Sequence, residues 1–272
     1  GFFSYSNIDN NILKALSLSN SDMNYRGPDK STIWNDENVA FAHVRLSIIG
    51  VKNGDQPLFN KDKSLILICN GEIYNYKEIK KNLIKKGYLF KTDSDCEVII
   101  YLYEEYKEAC VDYIKGMFSF AIWDKKEKQL FIARDHAGKK PLYYTDSPKG
   151  IAFSSELKVL KKHFIIDPDL NSEVIRQVNK YTYSISTDQT YLTQVKKIPP
   201  GCYANIDLKK GLRVTKYFKR KILSSFDGDY KLAIKKVQNL LNDAVERRLQ
   251  SEVPIGILLS AGIDSSAIAA IA

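Results

Sequence analysis

Short strand-like runs separated by turn residues constrain this chain more than any other feature. Residues 1–6 and 39–49 are apolar and aromatic-rich, and 65–69, 118–123, 129–133 and 151–154 are short runs of strand type. Two helices are expected among them. Over residues 72–87, Ile79, Leu83 and Ile84 share one face and Gly87 supplies a stop. Over 96–106, Val98, Ile99, Leu102 and Tyr103 make an apolar face, and Ser94 and Asp95 are suited to N-capping. Strands that meet through hairpins and are flanked by helices fit a layered antiparallel α+β architecture, not a Rossmann fold.

The pattern changes towards the C-terminus. Residues 206–228 carry Lys, Gly and Ser with little periodicity and read as a hairpin end and linker, with a boundary near 225. From Asp229, Leu232, Val237, Leu240, Leu241, Ala244, Val245 and Leu249 recur at helical spacing up to Gln250. Residues 254–259 are apolar enough for a parallel strand buried on both faces, and Ser260-Ala261-Gly262-Ile263-Asp264-Ser265-Ser266 then opens a second helix. One strand and two helices cannot complete a nucleotide-binding sheet, so a truncated α/β unit is expected at 229–272.

Composition excludes several classes. The net charge is +9, from 41 Lys and Arg against 32 Asp and Glu, but the lysines fall in scattered pairs and few of the 17 tyrosines are interleaved with them. No nucleic-acid stripe is expected. Cys69, Cys96, Cys110 and Cys202 form no CxxC pair and sit in or beside apolar runs, so they read as buried thiols, with neither a metal site nor a disulfide framework. No apolar run approaches the roughly 18 residues of a membrane helix, and no signal-peptide pattern opens the chain. The expectation is a cytoplasmic protein without membrane partners.

Asn70-Gly71-Glu72-Ile73-Tyr74-Asn75-Tyr76 comes directly after the run 65–69 and sets an amide, a glycine and a carboxylate where a strand ends. The Asn side chain offers donors, the glycine lets a backbone N–H approach a ligand oxygen, and the Glu can accept from an amine. Alone, the same dipeptide suits an ordinary turn. It is accompanied in fixed order by Arg26-Gly27-Pro28-Asp29, His43-Val44-Arg45-Leu46-Ser47-Ile48, Ser94-Asp95-Cys96-Glu97 and Ala133-Arg134-Asp135-His136-Ala137-Gly138-Lys139-Lys140-Pro141-Leu142-Tyr143-Tyr144. Together these resemble the glutaminase half of the asparagine synthetase family, a class II N-terminal-nucleophile amidotransferase, over nearly all of 1–205.

That resemblance implies a four-layer αββα sandwich over 1–205, a linker over 206–228 and the start of an ATP-using domain over 229–272. It implies that Arg45 pairs with the α-carboxylate of glutamine and that Leu46, Ser47 and Ile48 shape the pocket. Asn70 and Gly71 would form the oxyanion hole, and Glu72 and Asp95 would hold the substrate ammonium. The segments 26–29 and 134–144 would be structural, and neither His43 nor His136 is assigned catalysis. Residues 260–266 resemble the Ser-Gly-Gly-x-Asp-Ser pyrophosphate loop of ATP pyrophosphatases, with Ala261 in place of the first glycine. Leu258, Ser260, Ala261, Gly262, Asp264, Ser265 and Ser266 would then contact ATP, and magnesium is implied by the ATP chemistry alone.

In this family the nucleophile is an N-terminal cysteine whose own α-amine is the base. Gly1-Phe2-Phe3 matches the family's residues on the C-terminal side of that nucleophile, so a cysteine immediately before Gly1 is the expectation, and internal Cys69 cannot replace it. Ammonia would pass to an ATP-activated carboxylate, by default aspartate. A sugar acid or natural-product carboxylate, β-lactam closure and a non-catalytic glutamine-binding scaffold remain as alternatives. A homodimer is among the assemblies open to such a protein.

Overall fold

A computed structural model describes residues 1–165, 167–220 and 226–272. The chain runs β1 (Phe2–Ser4), α1 (Asn10–Met23), β2 (Lys30–Asn35), β3 (Val39–Arg45), β4 (Leu58–Phe59), β5 (Leu65–Ile73), α2 (Tyr76–Lys85) and α3 (Glu97–Tyr106). Next come β6 (Gly116–Asp124), β7 (Gln129–Arg134), β8 (Tyr143–Ser147), β9 (Gly150–Ser154), α4 (Leu157–His163), α5 (Ser172–Tyr181), β10 (Lys196–Lys197), β11 (Cys202–Asp207) and β12 (Gly211–Lys216). Two helices close the chain, α6 (Tyr230–Glu246) and α7 (Ile263–Ile271).

The strands form two six-stranded antiparallel sheets, ordered β10-β8-β9-β1-β3-β2 and β12-β11-β7-β6-β5-β4. Strand alternation sends one set of side chains from each sheet into the shared interior. Phe3, Val39, Phe41 and Ile151 from the first sheet meet Ile66, Ile68, Trp123 and Ile132 from the second. The opposite face of the second sheet, with Leu67, Phe118, Phe120 and Phe131, is covered by α2 and α3 through Ile79, Leu83, Ile99 and Tyr103. The outer face of the first sheet packs Phe2 and Ala152 beneath Ile12 and Leu160 of α1 and α4. The result is the α/β/β/α layering that the resemblance implied, with an apolar layer in each of its three interfaces.

Several local expectations are corrected. The helix expected from residue 72 begins at Tyr76, because β5 continues through Ile73 and pairs with β6 over its whole length. Asp95 does not cap α3: the N-cap position is Cys96, and Asp95 Oδ2 instead accepts from the Ile73 N–H at 2.6 Å. The second sheet passes residue 205, since β11 and β12 pair from Cys202 with Lys216 to Asp207 with Gly211. The expected boundary near 225 lies outside the described residues.

Helix α6 starts where expected, with Asp229 accepting from the Leu232 N–H at 2.8 Å, but it ends at Glu246 and not at Gln250. Residues 254–259 form no strand. A parallel strand needs paired neighbours, and none lies beside this segment among the described residues. Leu258 is accordingly 96% exposed.

Candidate active site

Strand β5 shows how the sequence builds the site. Its inner edge pairs with β6 throughout, whereas β4 covers its outer edge only at Leu67 and Ile66. In an antiparallel ladder successive residues turn their N–H and C=O groups to alternate edges. Phe118, opposite Gly71, uses both backbone groups on Asp135, donating to Oδ2 at 3.2 Å and accepting from its N–H at 2.8 Å. Gly71, like Cys69 and Ile73, therefore points its N–H towards the outer edge.

Two of those three outward groups are taken. Gln56 acts as a substitute strand at Cys69, its Oε1 accepting the N–H at 2.6 Å and its Nε2 donating to the carbonyl at 3.0 Å. Asp95 takes the Ile73 N–H. Between them the Gly71 N–H has no partner among the described residues, and it borders a cavity of about 310 Å³. A Cβ at Gly71 would lie 2.3 Å from the Met117 carbonyl oxygen, so only glycine fits this close approach. The Asn70 side chain borders the same cavity, its Nδ2 donating to Ser155 Oγ at 3.2 Å. An amide and a free backbone N–H side by side form a donor pair suited to an oxygen that gains negative charge.

Arg45 ends β3 on the cavity wall and is 7% exposed. Its Nη1 donates to Asp55 Oδ1 at 3.0 Å, and its Nη2 donates to the carbonyls of Ile49 and Gly50 at 3.1 and 2.8 Å. A Cβ at Gly54 would come within 2.5 Å of Nη2, so the guanidinium is closely held on that side. Glu72 and Asp95 line the cavity as well. Burial pushes the Asp95 carboxyl up to about 6, the Glu72 charge adds to this, and the Ile73 N–H opposes it. Burial also raises Glu72, offset by Lys140. Two acids held above their ordinary range by desolvation are poised for a cation, whose arrival would favour both ionised forms.

The cavity thus brings together Arg45, Leu46, Ile48, Asn70, Gly71, Glu72 and Asp95, and Gly1 lies on its wall. Ser47 is the exception: it is absent from the lining, and its N–H donates to Asp29 Oδ2 at 2.7 Å. Sequence reasoning missed Gln56 and Asp55, because a single Gln or Asp in a loop carries no periodic or motif signal. His43 also borders the cavity, where burial lowers it to about 4 and its Nε2 meets the Cys69 carbonyl at 3.2 Å. A carbonyl only accepts, so Nε2 is the donor, and burial keeps the imidazole neutral in this positioning contact.

Arg134 donates to the carbonyls of Lys140, Ile198 and Gly138, each at 2.8 Å, and Asp135 accepts from the N–H groups of Ala137, Lys139 and Lys140. These bonds hold the loop into β8. Arg26 pairs with Glu156 at 2.6 Å.

The C-terminal candidates form a separate, exposed group. Ser260 and Ser265 hydroxyls meet at 3.0 Å, and Ser265 Oγ donates to the Gly262 carbonyl. Gly262 is the N-cap of α7 and makes no side-chain cap, so the first N–H groups of that helix are open to an anion, and the turn fits a phosphate group. No cluster of three or more potential metal ligands occurs among the described residues. Ala261 has φ +59°, the left-handed region that a Cβ disfavours by roughly 1 kcal/mol.

The family model described as glutamine amidotransferase domain matches residues 1–218, and that described as asparagine synthase matches 236–272. "Asparagine synthetase [glutamine-hydrolyzing] 1" of Bacillus subtilis (strain 168) is 40% identical over 248 residues, covering 91% of this chain and 39% of that protein. "Probable asparagine synthetase [glutamine-hydrolyzing]" of Schizosaccharomyces pombe is 38% identical over 264 residues, covering 95% and 41%. The chain thus spans about 40% of the length of these relatives. Among solved structures, one described as the allosteric regulatory enzyme of purine biosynthesis aligns at TM-score 0.50 and 19% identity, over 86% of this chain and 49% of that one, a likeness of fold. With the matched family covering the whole two-sheet body and its cavity, the chain belongs to the glutamine amidotransferase domain family.

Proposed function

We propose that this chain is the glutamine-hydrolysing part of an asparagine-synthetase-type enzyme, which releases ammonia from glutamine and delivers it to an ATP-activated carboxylate, aspartate by default. The observation that carries this reading is the convergence of an arginine, two desolvated acids and an Asn-Gly donor pair on one cavity, near the lower end of the about 300–1,000 Å³ usual for small ligands. These groups match the carboxylate, ammonium and carboxamide of one amino acid. Arg45 holds the α-carboxylate, Glu72 and Asp95 the α-ammonium, and Asn70 with Gly71 the carboxamide oxygen.

The nucleophile in this reading is a cysteine joined to the Gly1 nitrogen. Two features of Gly1 support it. The nitrogen is enclosed and donates to the Phe153 carbonyl at 2.8 Å, while Phe153 N–H donates back to the Gly1 carbonyl at 2.9 Å. A thiolate there attacks the carboxamide carbon, the negative charge grows on the oxygen facing Asn70 and Gly71, and the α-amine of the cysteine carries the proton to departing ammonia.

ATP, when bound at 258–266, supplies the activation of the acceptor carboxylate. Of this chain, Ser260, Ser265 and the α7 N-terminus would hold its phosphates. The protein purified from its full-length gene, with its N-terminal residue identified by mass spectrometry, is expected to release ammonia from glutamine and to form asparagine from aspartate and ATP. Ammonia release without asparagine formation would redirect the acceptor to another carboxylate. Glutamine binding without ammonia release would instead establish the scaffold reading.

A further inference from the structure

The segment after α6 returns to the wall of the cavity and completes the setting of Arg45. Two consecutive peptide groups lie between Arg45 and Glu252. The peptide joining Ile49 to Gly50 gives its carbonyl to Arg45 Nη2 at 3.1 Å and its N–H to Glu252 Oε1 at 2.9 Å. The next, joining Gly50 to Val51, gives its carbonyl to the same Nη2 at 2.8 Å and its N–H to Glu252 Oε2 at 3.1 Å. Glu252 is also tied by its own backbone, whose N–H donates to the Ile48 carbonyl at 3.0 Å.

Each peptide is therefore a dipole with its positive end on a carboxylate and its negative end on a guanidinium. Hydrogen bonds in such a chain polarise one another, so the Glu252 charge strengthens the carbonyls that hold Arg45. Gly50 makes the geometry available: its φ of +63° turns two successive N–H groups outward and two successive carbonyls inward, and a Cβ there would lie 2.6 Å from the Ser94 nitrogen. The same segment also touches the residue that follows β5. Gln250 Nε2 donates to the Tyr74 carbonyl at 3.0 Å, and Arg248 lies 4.9 Å from the centre of the Tyr74 ring.

We infer that Glu252 is a positioning residue for Arg45, acting through these two peptide groups, so that recognition of the glutamine α-carboxylate is completed by a residue outside the two-sheet body. Glu252 falls within the stretch that matches the asparagine synthase family, 236–272, whereas Arg45 falls within 1–218. The amino-acid pocket thus senses whether the second unit is docked. This rests on the assignment of Arg45 to glutamine under Proposed function.

The test compares wild type, Glu252→Ala and Glu252→Gln in the full-length enzyme, measuring ammonia release from glutamine and from 4-aminobutanamide, which lacks the α-carboxylate. Glu252→Ala is expected to raise KM for glutamine about tenfold with kcat nearly unchanged, and to leave kcat/KM for 4-aminobutanamide as in wild type. Glu252→Gln, whose amide retains one acceptor oxygen, should fall between the two. Equal losses on both substrates would mean that Glu252 only secures docking of the second unit, and an unaltered KM would mean that the relay does nothing; either result overturns the inference while leaving the glutaminase reading intact. A wild-type enzyme that neither binds nor hydrolyses glutamine would overturn both.

Discussion

Asn70→Ala in the full-length enzyme is expected to lower kcat for glutamine hydrolysis about 10²–10³-fold while KM changes by no more than a few-fold. The asymmetry arises from where the charge develops. In the ground state the carboxamide oxygen is neutral and a donor is worth little, whereas in the tetrahedral transition state it is an oxyanion facing Asn70 Nδ2 and the Gly71 N–H. The backbone donor survives in the variant, so a residual rate should persist. Steady-state ammonia release checks this, and a raised KM with kcat unchanged would show that Asn70 serves ground-state binding instead.

Asp95→Asn is expected to weaken glutamine binding by about 100-fold or more, since it removes one charge-assisted partner of the ammonium from a desolvated wall. It should also change stability in a pH-dependent way whose sign is fixed. The Asp95 carboxyl is raised from 3.8 to about 6 by burial, so the folded state binds its proton more tightly than the unfolded chain. That stabilisation is complete below about pH 4 and is lost as pH rises through about 6. The stability of Asp95→Asn relative to wild type should therefore be greater at pH 8 than at pH 4.5, by on the order of 2–3 kcal/mol, as read by denaturant unfolding at the two pH values. The same proton competes with substrate: in the wild type, KM for glutamine should rise as pH falls below about 6. A relative stability independent of pH would show that the carboxyl is not held in its buried, raised state.

Much of this was legible in the sequence because strand and helix periodicities survive into the fold. The runs at 65–69, 118–123, 129–133 and 151–154 each became part of a strand, and the apolar face of 96–106 became the covering layer of α3. The site was legible through ordered motifs whose chemistry suits an amino acid. Local chemistry with two uses was the source of the misreadings. Residues 72–87 read as one helix, yet β5 continues through Ile73 and the helix begins only at Tyr76. Ser94 and Asp95 read as caps, yet Asp95 is drawn across to Ile73 because the outer edge of β5 lacks a strand partner there.

Other parts had no local signal at all. Gln56 and Glu252 act at a distance in sequence, the latter 202 residues from Gly50, and their neighbours give no hint of where the chain will bring them. The run 254–259 has the composition of a buried strand, but composition supplies only half of a parallel strand. Paired neighbours supply the rest, and the described residues contain none for it.

Recognition of glutamine in one cavity, through both charged groups of its amino-acid end, can be read out by titration calorimetry with L-glutamine at pH 7.5. One site per chain is expected, with binding abolished in Arg45→Ala, weakened about 100-fold or more in Asp95→Asn, and much weaker for 4-aminobutanamide than for glutamine. Absence of binding to the wild type, or binding that survives both substitutions unchanged, would contradict this mode of recognition.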